Sequence, residues 1–188
     1  MASDRFTPER AVVVLVDLQK GLLSAVLGGA QITARSLVLA KAAKALGSPV
    51  LGTTQNAARL GELQPELAEY AEGVFDKMAF SAGGSPEFMA ALAALKEGGR
   101  DQIFLVGVEA HICVVLTAFD LVREGYQVGA LSDAIASRSE DRYSAGIALL
   151  NQGRIAVRHS ESLIYEWMGT AAHPAFKEVL AAVKATRY

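Results

Sequence analysis

The chain lacks most of the features that mark specialised classes of protein. One cysteine among 188 residues excludes an internal disulfide bond, so we expect a reducing compartment and a cytoplasmic location. The longest apolar run, Ala11–Val16, is far too short to span a bilayer, and the opening decapeptide MASDRFTPER has no apolar signal core. From these absences we expect a soluble protein without a membrane partner.

An excess of charge of one sign is missing as well. The chain has 18 Lys and Arg against 20 Asp and Glu, a formal net charge of -2, and no basic cluster. Nucleic-acid-binding domains usually carry clustered Lys and Arg residues, so we expect no nucleic-acid partner. Because 52% of the residues are hydrophobic, the chain can bury a core, and its length fits one domain that we predict over residues 1–188.

Six short runs predict β-strands. Several are nearly continuous Val, Ile and Leu, which is typical of strands buried on both faces of a parallel sheet. The predicted strands are Ala11–Val16, Val50–Thr54, Gly73–Phe75, Gln102–Val108, Gln127–Leu131 and Arg154–Val157.

Helical stretches separate these strands. The clearest has Ser85 as its N-cap, Pro86 at its first position and Gly98 beyond its end. His159 and His173 stand beside helix starts, where we expect caps or surface groups, and an amphipathic helix is predicted over 173–188. Alternating strands and helices predict βαβ crossovers and a doubly wound α/β sandwich.

Reactive side chains follow three of the predicted strands, at the edge where open parallel sheets bind ligands. Asp17 follows the first strand, Lys77 the third and Cys113 the fourth. A helix start and a nearby cation both lower the pKa of a thiol, so we expect its own helix and Lys77 to activate Cys113. Asp17 could take the thiol proton, and amides of the same helix start could bind an oxyanion.

Each of these residues also has a plain structural alternative. A lone cysteine is more often a small buried hydrophobic residue, and Asp17 could cap a turn. Lys77 could form a solvated pair with the aspartate before it, and the polar run Thr53–Asn56 could be an ordinary loop. His111 lies two residues before Cys113 on a predicted helix, so the two side chains do not face each other.

Four ordered motifs carry a resemblance to a known family. VLVDLQKG, FDKMAFSA, VGVEAHICVVLTAFDLVREGYQV and SDAIASRS, taken together, resemble the isochorismatase-like cysteine hydrolase superfamily. The likeness runs from Ala11 to about Lys184, and the tail HSESLIYEWMGTAAHPAFKEV is most similar to the isochorismatase-domain-containing subgroup. The resemblance implies a three-layer α/β sandwich whose six-stranded parallel sheet has the order 3-2-1-4-5-6 and helices on both faces.

The resemblance also implies roles for particular residues. By motif position, Asp17, Lys77 and Cys113 correspond to the family's catalytic triad. A non-proline cis peptide bond corresponds to Val108–Glu109, and the oxyanion hole to the backbone amides of Glu109 and Cys113. We add four candidate substrate-binding residues at the same edge: Gln19, Gln55, Phe80 and His111.

Departures from the family pattern reduce the number of reactions and cofactors that we expect for this chain. Nicotinamidases of this superfamily carry a metal-binding Asp and His after the second strand, where this chain has TTQNAARLGEL, so we expect no catalytic metal. DLQKG follows the first strand in place of G-x-G-x-x-G, so we expect no dinucleotide cofactor. The isochorismatase reaction itself, cleavage of a vinyl ether, does not need the cysteine, so Cys113 favours the amidase-like branch.

Two hypotheses follow for the function. In the first, the protein is a metal-independent cysteine hydrolase, without a cofactor, that forms a thioester with a small amide or related acyl compound. In the second, the same fold serves as a catalytically silent oligomeric scaffold or as a thiol-based redox sensor. Since members of the family commonly form dimers or larger rings, the resemblance implies a homo-oligomer in either case.

Overall fold

The computed structural model describes residues 5–185 of the chain. The predicted domain over residues 1–188 and the predicted final helix over 173–188 both extend outside the described residues. Within residues 5–185, every helix is too short or too polar to cross a membrane.

Six strands form a single sheet in which every pairing is parallel. Their spatial order is β3-β2-β1-β4-β5-β6, which confirms the order that the resemblance implies. The strands are β1 Ala11–Val16, β2 Val50–Gln55, β3 Gly73–Lys77, β4 Gln102–Val108, β5 Gln127–Ala136 and β6 Ala156–Arg158.

Helices follow the strands and cover both faces of the sheet. A 3-10 turn at Ala82–Gly84 precedes α5, and a π-helical turn at Ala110–Val114 precedes α6. The helices are α1 Lys20–Leu23, α2 Gly29–Ala45, α3 Ala57–Leu60, α4 Pro65–Ala68, α5 Pro86–Glu97, α6 Val115–Arg123, α7 Glu140–Gln152, α8 Ser160–Met168 and α9 Phe176–Ala185.

Two hydrophobic cores lie on opposite faces of the sheet, because successive side chains of a strand point in opposite directions. Val13 of β1 belongs to the first core, which includes Leu39 of α2 and Trp167 of α8. Val14 belongs to the second core, which includes Leu92 of α5 and Leu121 of α6. Burial on both faces explains why these strands read as continuous apolar runs.

Several elements differ from the sequence-based expectations; β3, for example, continues to Lys77 instead of ending at Phe75, and β6 begins at Ala156 instead of Arg154. Strand β5 continues to Ala136 instead of ending at Leu131, because its register against β4 shifts after Leu105 and pairing resumes at Gly107. Helix α8 was not among the predicted helices, although His159 caps it as expected: its ring nitrogen accepts a hydrogen bond from the Glu161 N–H at 3.2 Å.

Gly107 sets the close approach of β4 to β1 below the site. Its φ of 125° is open mainly to glycine. A Cβ atom at this position would lie 2.0 Å from the carbonyl oxygen of Val16, the residue before Asp17. The glycine therefore lets the two central strands end side by side.

Candidate functional site

The parallel topology brings the three predicted reactive residues to one edge of the sheet. Asp17 directly follows β1, Lys77 is the last residue of β3, and Cys113 lies in the π-helical turn after β4. Strands β1 and β4 are neighbours, and β3 lies two strands from β1, so a long lysine side chain can cross the intervening strand.

Lys77 and Asp17 form a buried ion pair. Lys77 Nζ lies 2.8 Å from Asp17 Oδ2, and the two side chains are 1% and 0% exposed. The ammonium also donates to Gln55 Oε1 at 3.0 Å and to the carbonyl oxygens of Ala79 and Phe80 at 3.3 and 3.2 Å. Removing two charges from water is costly unless their hydrogen bonds are satisfied, and here the surrounding acceptors satisfy those of the ammonium.

The second oxygen of the Asp17 carboxylate has its own donor. The Thr53 hydroxyl, on β2, donates to Asp17 Oδ1 at 2.7 Å. The main-chain N–H of Asp17 donates in turn to the Thr53 carbonyl oxygen at 3.2 Å. Asp17 adopts a left-handed backbone conformation with φ of 53°, so β2 holds an unusual turn as well as a charge.

The Cys113 thiol lies against this ion pair and is only 6% exposed. Burial raises the pKa of the thiol to about 12, and the negative charge and hydrogen bond of Asp17 add to that effect. The positive charge of Lys77 and a backbone hydrogen bond from Glu109 act in the opposite direction, and each has a smaller effect on the pKa than burial or the charge of Asp17. Lys77 thus lowers the pKa of the thiol as predicted, but the prediction that the thiol is activated in the free protein is wrong, because desolvation and the charge of Asp17 outweigh the cation.

Glu109 links the nucleophile turn to the end of β5. The peptide bond between Val108 and Glu109 is cis, at the position that the resemblance implies. The carboxylate of Glu109 accepts hydrogen bonds from the backbone N–H and the Nε of Arg138 at 3.1 and 3.0 Å. Its carbonyl oxygen accepts from the N–H groups of Ile112 and Val114. The use of the Glu109 and Cys113 amides as an oxyanion hole stays a prediction.

The four candidate substrate-binding residues lie in different surroundings. Gln19 is fully buried: its carboxamide nitrogen donates to the carbonyl oxygens of Gln55 and Gly61, and its oxygen accepts from the Gln55 N–H at 2.7 Å. In this arrangement Gln19 has no surface left for a substrate and instead braces the loop after β2. The structure therefore does not support direct substrate binding by Gln19.

The other three candidates remain accessible. Half-buried Gln55 bridges Lys77 and the carbonyl oxygen of Met78, to which its Nε2 donates at 2.9 Å. Phe80 is 59% exposed beside the site. His111 is half-buried, and its Nδ1 lies 3.0 Å from the Ser137 hydroxyl rather than beside the thiol. Contact of these three with a substrate stays a prediction.

A separate cavity of about 250 Å³ opens between α2, β5 and α7. Leu27, Arg35, Asp133 and Tyr143 are among its lining residues. Its polar groups serve the fold: Asp133 accepts the Ser160 N–H at the start of α8 at 2.7 Å and pairs with Arg35 at 3.4 Å. Asp17, Lys77 and Cys113 do not line this cavity, so it is separate from the site of the predicted chemistry.

Within residues 5–185, no three His, Cys, Asp or Glu side chains lie close enough together to hold a metal ion. Independence from a metal stays a prediction about the reaction.

Two contacts of the site were missed by sequence reasoning. Thr53 was predicted at the end of the strand Val50–Thr54, with an ordinary loop as the alternative, and was given no role; Arg138 was not singled out. Both act through partners that only the sheet register reveals: Val16 of β1 is paired with Thr53, and Val108 of β4 is paired with Ala136. A polar residue level with Asp17 on the neighbouring strand was the available signal.

Comparison with known proteins adds a family relationship to this geometry. A family model described as the isochorismatase domain matches residues 11–162. The mouse isochorismatase domain-containing protein 2A is 32% identical over 183 residues, covering 96% of this chain and 85% of the relative. These matches span both the triad and the strands that carry it.

Solved structures show the same fold. The MAR1 ribonuclease from Caenorhabditis elegans superposes with a TM-score of 0.88 at 32% identity, covering 96% of this chain and 92% of the other. The YcaC gene product from Escherichia coli, an octameric hydrolase of unknown specificity, gives a TM-score of 0.82 at 24% identity, with 98% of each chain covered.

Proposed function

The chain belongs to the isochorismatase family, and from this premise we propose that it is a hydrolase that uses Cys113 to cleave a small amide or a related acyl compound. One observation carries the proposal. The Asp17 carboxylate and the Lys77 ammonium form a buried ion pair, and the buried thiol of Cys113 lies near enough to both charges for each of them to change its pKa. A nucleophile beside a base that a third group holds in place is the usual sign of covalent catalysis.

Because the pKa of the thiol is raised, the proposed mechanism needs a base to remove the thiol proton. Because the thiol is protonated at neutral pH, attack requires that Asp17 take the proton as the bond from Cys113 Sγ to the substrate carbonyl carbon forms. The carbonyl oxygen then carries negative charge, which the Glu109 and Cys113 amides would stabilise. Lys77 holds the carboxylate and offsets its charge.

The remaining steps return every group to its starting state. As the C–N bond breaks, Asp17 gives its proton to the departing nitrogen, and a thioester to Cys113 is left. Asp17 then accepts a proton from a water molecule that attacks the thioester carbon. The C–S bond breaks, the acid product leaves and the sulfur regains its proton, so the reaction consumes only substrate and water.

The redox-sensor alternative fits the site less well. Sensor cysteines are accessible and have a low pKa, because the thiolate is the form that oxidants attack. Cys113 is buried and its pKa is raised. The name of the nematode MAR1 protein favours a second candidate, ribonuclease activity. Against it stand the formal charge of -2 and the lack of a basic cluster in this sequence.

The test is turnover by the full-length protein of a panel of small amides, with short RNA oligonucleotides included. Cys113→Ala removes the nucleophile, so the hydrolysis of any amide substrate should fall by about 10³-fold or more. Ile112→Val, which trims a half-buried neighbour in the same turn, should retain most of the activity. Hydrolysis by Cys113→Ala at the wild-type rate would exclude the covalent route, and RNA cleavage that survives this substitution would favour the ribonuclease.

We also propose that the protein is a homo-oligomer. Met78 and Phe80 expose 72% and 59% of their surface beside the site, where a second copy would cover them. The octameric state of the Escherichia coli YcaC protein is consistent with such an assembly. Light scattering that gives the mass of one chain at micromolar concentration would contradict this proposal.

A further inference from the structure

Thr53 holds Asp17 at two points, one on the main chain and one on the side chain. The Asp17 N–H donates to the Thr53 carbonyl oxygen at 3.2 Å, and the Thr53 hydroxyl donates to Asp17 Oδ1 at 2.7 Å. Both residues are fully buried. We infer that Thr53 is a positioning residue, which fixes the rotation of the Asp17 carboxylate so that it meets Lys77 and the thiol together. This inference rests on the proposed function.

The ion pair alone does not fix that rotation. The terminal torsion of an aspartate is broad, and an ammonium is a compact charge that can bind either carboxylate oxygen. Lys77 could therefore follow the carboxylate through a range of angles. A hydroxyl at 2.7 Å that donates to Oδ1 leaves Oδ2 as the oxygen that lies 2.8 Å from Lys77.

The position of Thr53 in the sheet holds its hydroxyl next to Asp17. Thr53 lies opposite Val16 in the β1–β2 register, so its side chain is level with the turn that carries Asp17. Threonine is β-branched, which restricts its side chain to few rotamers. The hydroxyl is thus held by a central part of the fold and not by a mobile loop.

The neighbouring residue offers a matched control. Thr54 is equally buried, but its hydroxyl donates to Asp76 Oδ1 at 2.9 Å, since the next side chain of a strand points to the other face. Thr53→Val and Thr54→Val are therefore the same chemical change at adjacent positions of one strand. Only the first removes a donor from Asp17.

Acrylamide can probe the site before a substrate is known. In this reaction Asp17 takes the thiol proton, Cys113 Sγ bonds to the terminal alkene carbon, and the electron pair of the double bond moves to the carbon beside the carbonyl. That carbon receives a proton from Asp17 or from water. Because the chain has a single cysteine, intact-mass spectrometry follows one adduct without interference.

We expect the rate constant of adduct formation at neutral pH to fall about 10- to 100-fold in Thr53→Val, as for the loss of one hydrogen bond to a charged group. Thr53→Ser keeps the hydroxyl and should restore the rate to within about threefold of wild type, and Thr54→Val should leave it unchanged. Asp17→Asn should be slow. In urea, where the variants are unfolded, all of them should react with acrylamide at the same rate. This control shows that the differences at neutral pH come from the folded site. If Thr53→Val does not fold, Thr53→Ala takes its place.

The outcomes separate the inference from the proposed function. A slow Asp17→Asn with Thr53→Val at the wild-type rate overturns the role of Thr53 and leaves the function standing. Equal slowing by Thr53→Val and Thr54→Val, or no recovery in Thr53→Ser, also overturns it, because general damage to β2 then explains the loss. An Asp17→Asn variant that reacts at the wild-type rate contradicts the proposed base itself.

Discussion

At the scale of single residues, burial affects the protonation state of the Cys113 thiol more than the nearby cation does. The thiol is 6% exposed and lies near the negative charge of Asp17, and both facts favour its neutral form. The proposed reaction therefore needs a base in contact with the thiol throughout the attack.

The raised pKa predicts how stability changes at alkaline pH. The thiol pKa is about 12 in the folded protein against an ordinary value of 9.0, so above about pH 9 the unfolded chain releases a proton that the folded chain retains. The stabilisation is complete below pH 9 and is lost as the pH rises toward 12. Cys113→Ala has no thiol and lacks this loss. Between about pH 8 and 11, the free energy of unfolding of the variant should therefore rise by about 1 to 3 kcal/mol relative to that of the wild type.

Urea unfolding at a series of pH values measures this difference directly. Burial also raises the pKa values of Tyr126 and Tyr143, but both tyrosines are present in the two proteins and cancel in the comparison. A constant difference between wild type and Cys113→Ala across this range would show that the folded thiol ionises as it does in the unfolded chain.

The sequence predicted which residues form the candidate site better than it predicted the contacts and pKa values of those residues. Asp17, Lys77 and Cys113 became candidates because each follows a recognisable strand, the family resemblance assigned their roles, and the structure places them near one another. The direction of the thiol pKa could not be found, because it depends on how much protein covers the sulfur. Thr53 was overlooked for a similar reason, since its role requires the register of β2 against β1.

At the scale of secondary-structure elements, the nucleophile turn is supported from behind by α7. Gly146 of α7 faces this turn: a Cβ atom there would lie 2.8 Å from the carbonyl carbon of Ala110 and 2.9 Å from the nitrogen of His111. The glycine therefore allows the helix to pack directly on the backbone that carries Cys113. Its identity is set by this contact, since a mid-helix glycine costs about 1 kcal/mol relative to alanine.

Gly146→Ala should displace the turn without changing any residue of the triad. We expect the rate of acrylamide addition to Cys113 to fall about tenfold or more, because small displacements of a reacting group are costly in rate. Ser144→Ala, at an exposed position of the same helix, is the control and should react as wild type does. A Gly146→Ala protein with an unchanged rate would mean that the turn absorbs the extra methyl group.

Elements with a strong local pattern were predicted well, and those that depend on partners were not. The bounds predicted for β1 and β4 agree with the structure, since each is a continuous apolar run. The second half of β5 has polar residues and becomes a strand only because β4 pairs with it again after Gly107. Helix α8 is short, and Asp133, 27 residues before Ser160, stabilises its first turn.

At the scale of the whole molecule, one sheet separates two cores that contain useful probes. Trp167, the single tryptophan, lies in the first core with its ring centroid 5.4 Å from that of Phe104. Cys113 belongs to the second core. Since β1 and β4 contribute side chains to both cores, loss of either core should remove support from the other.

The predicted single domain over residues 1–188 therefore implies one unfolding transition. In a urea titration, the fluorescence of Trp167 and the exposure of Cys113 to a thiol reagent should change with the same midpoint, as cooperative unfolding requires. Cys113→Ala, which lacks the thiol signal, is the blank for the second probe. Two midpoints separated by more than the fitting error would divide the chain into independent units.

The distribution of the triad along the chain has a consequence for biosynthesis. Asp17 and Lys77 are 60 residues apart, and Cys113 emerges from the ribosome after both of them, in the segment that must insert β4 beside β1. A chain that ends before Cys113 therefore contains the carboxylate and the ammonium but not the thiol. Translation itself delays the proposed activity until more than half of the polypeptide has been made.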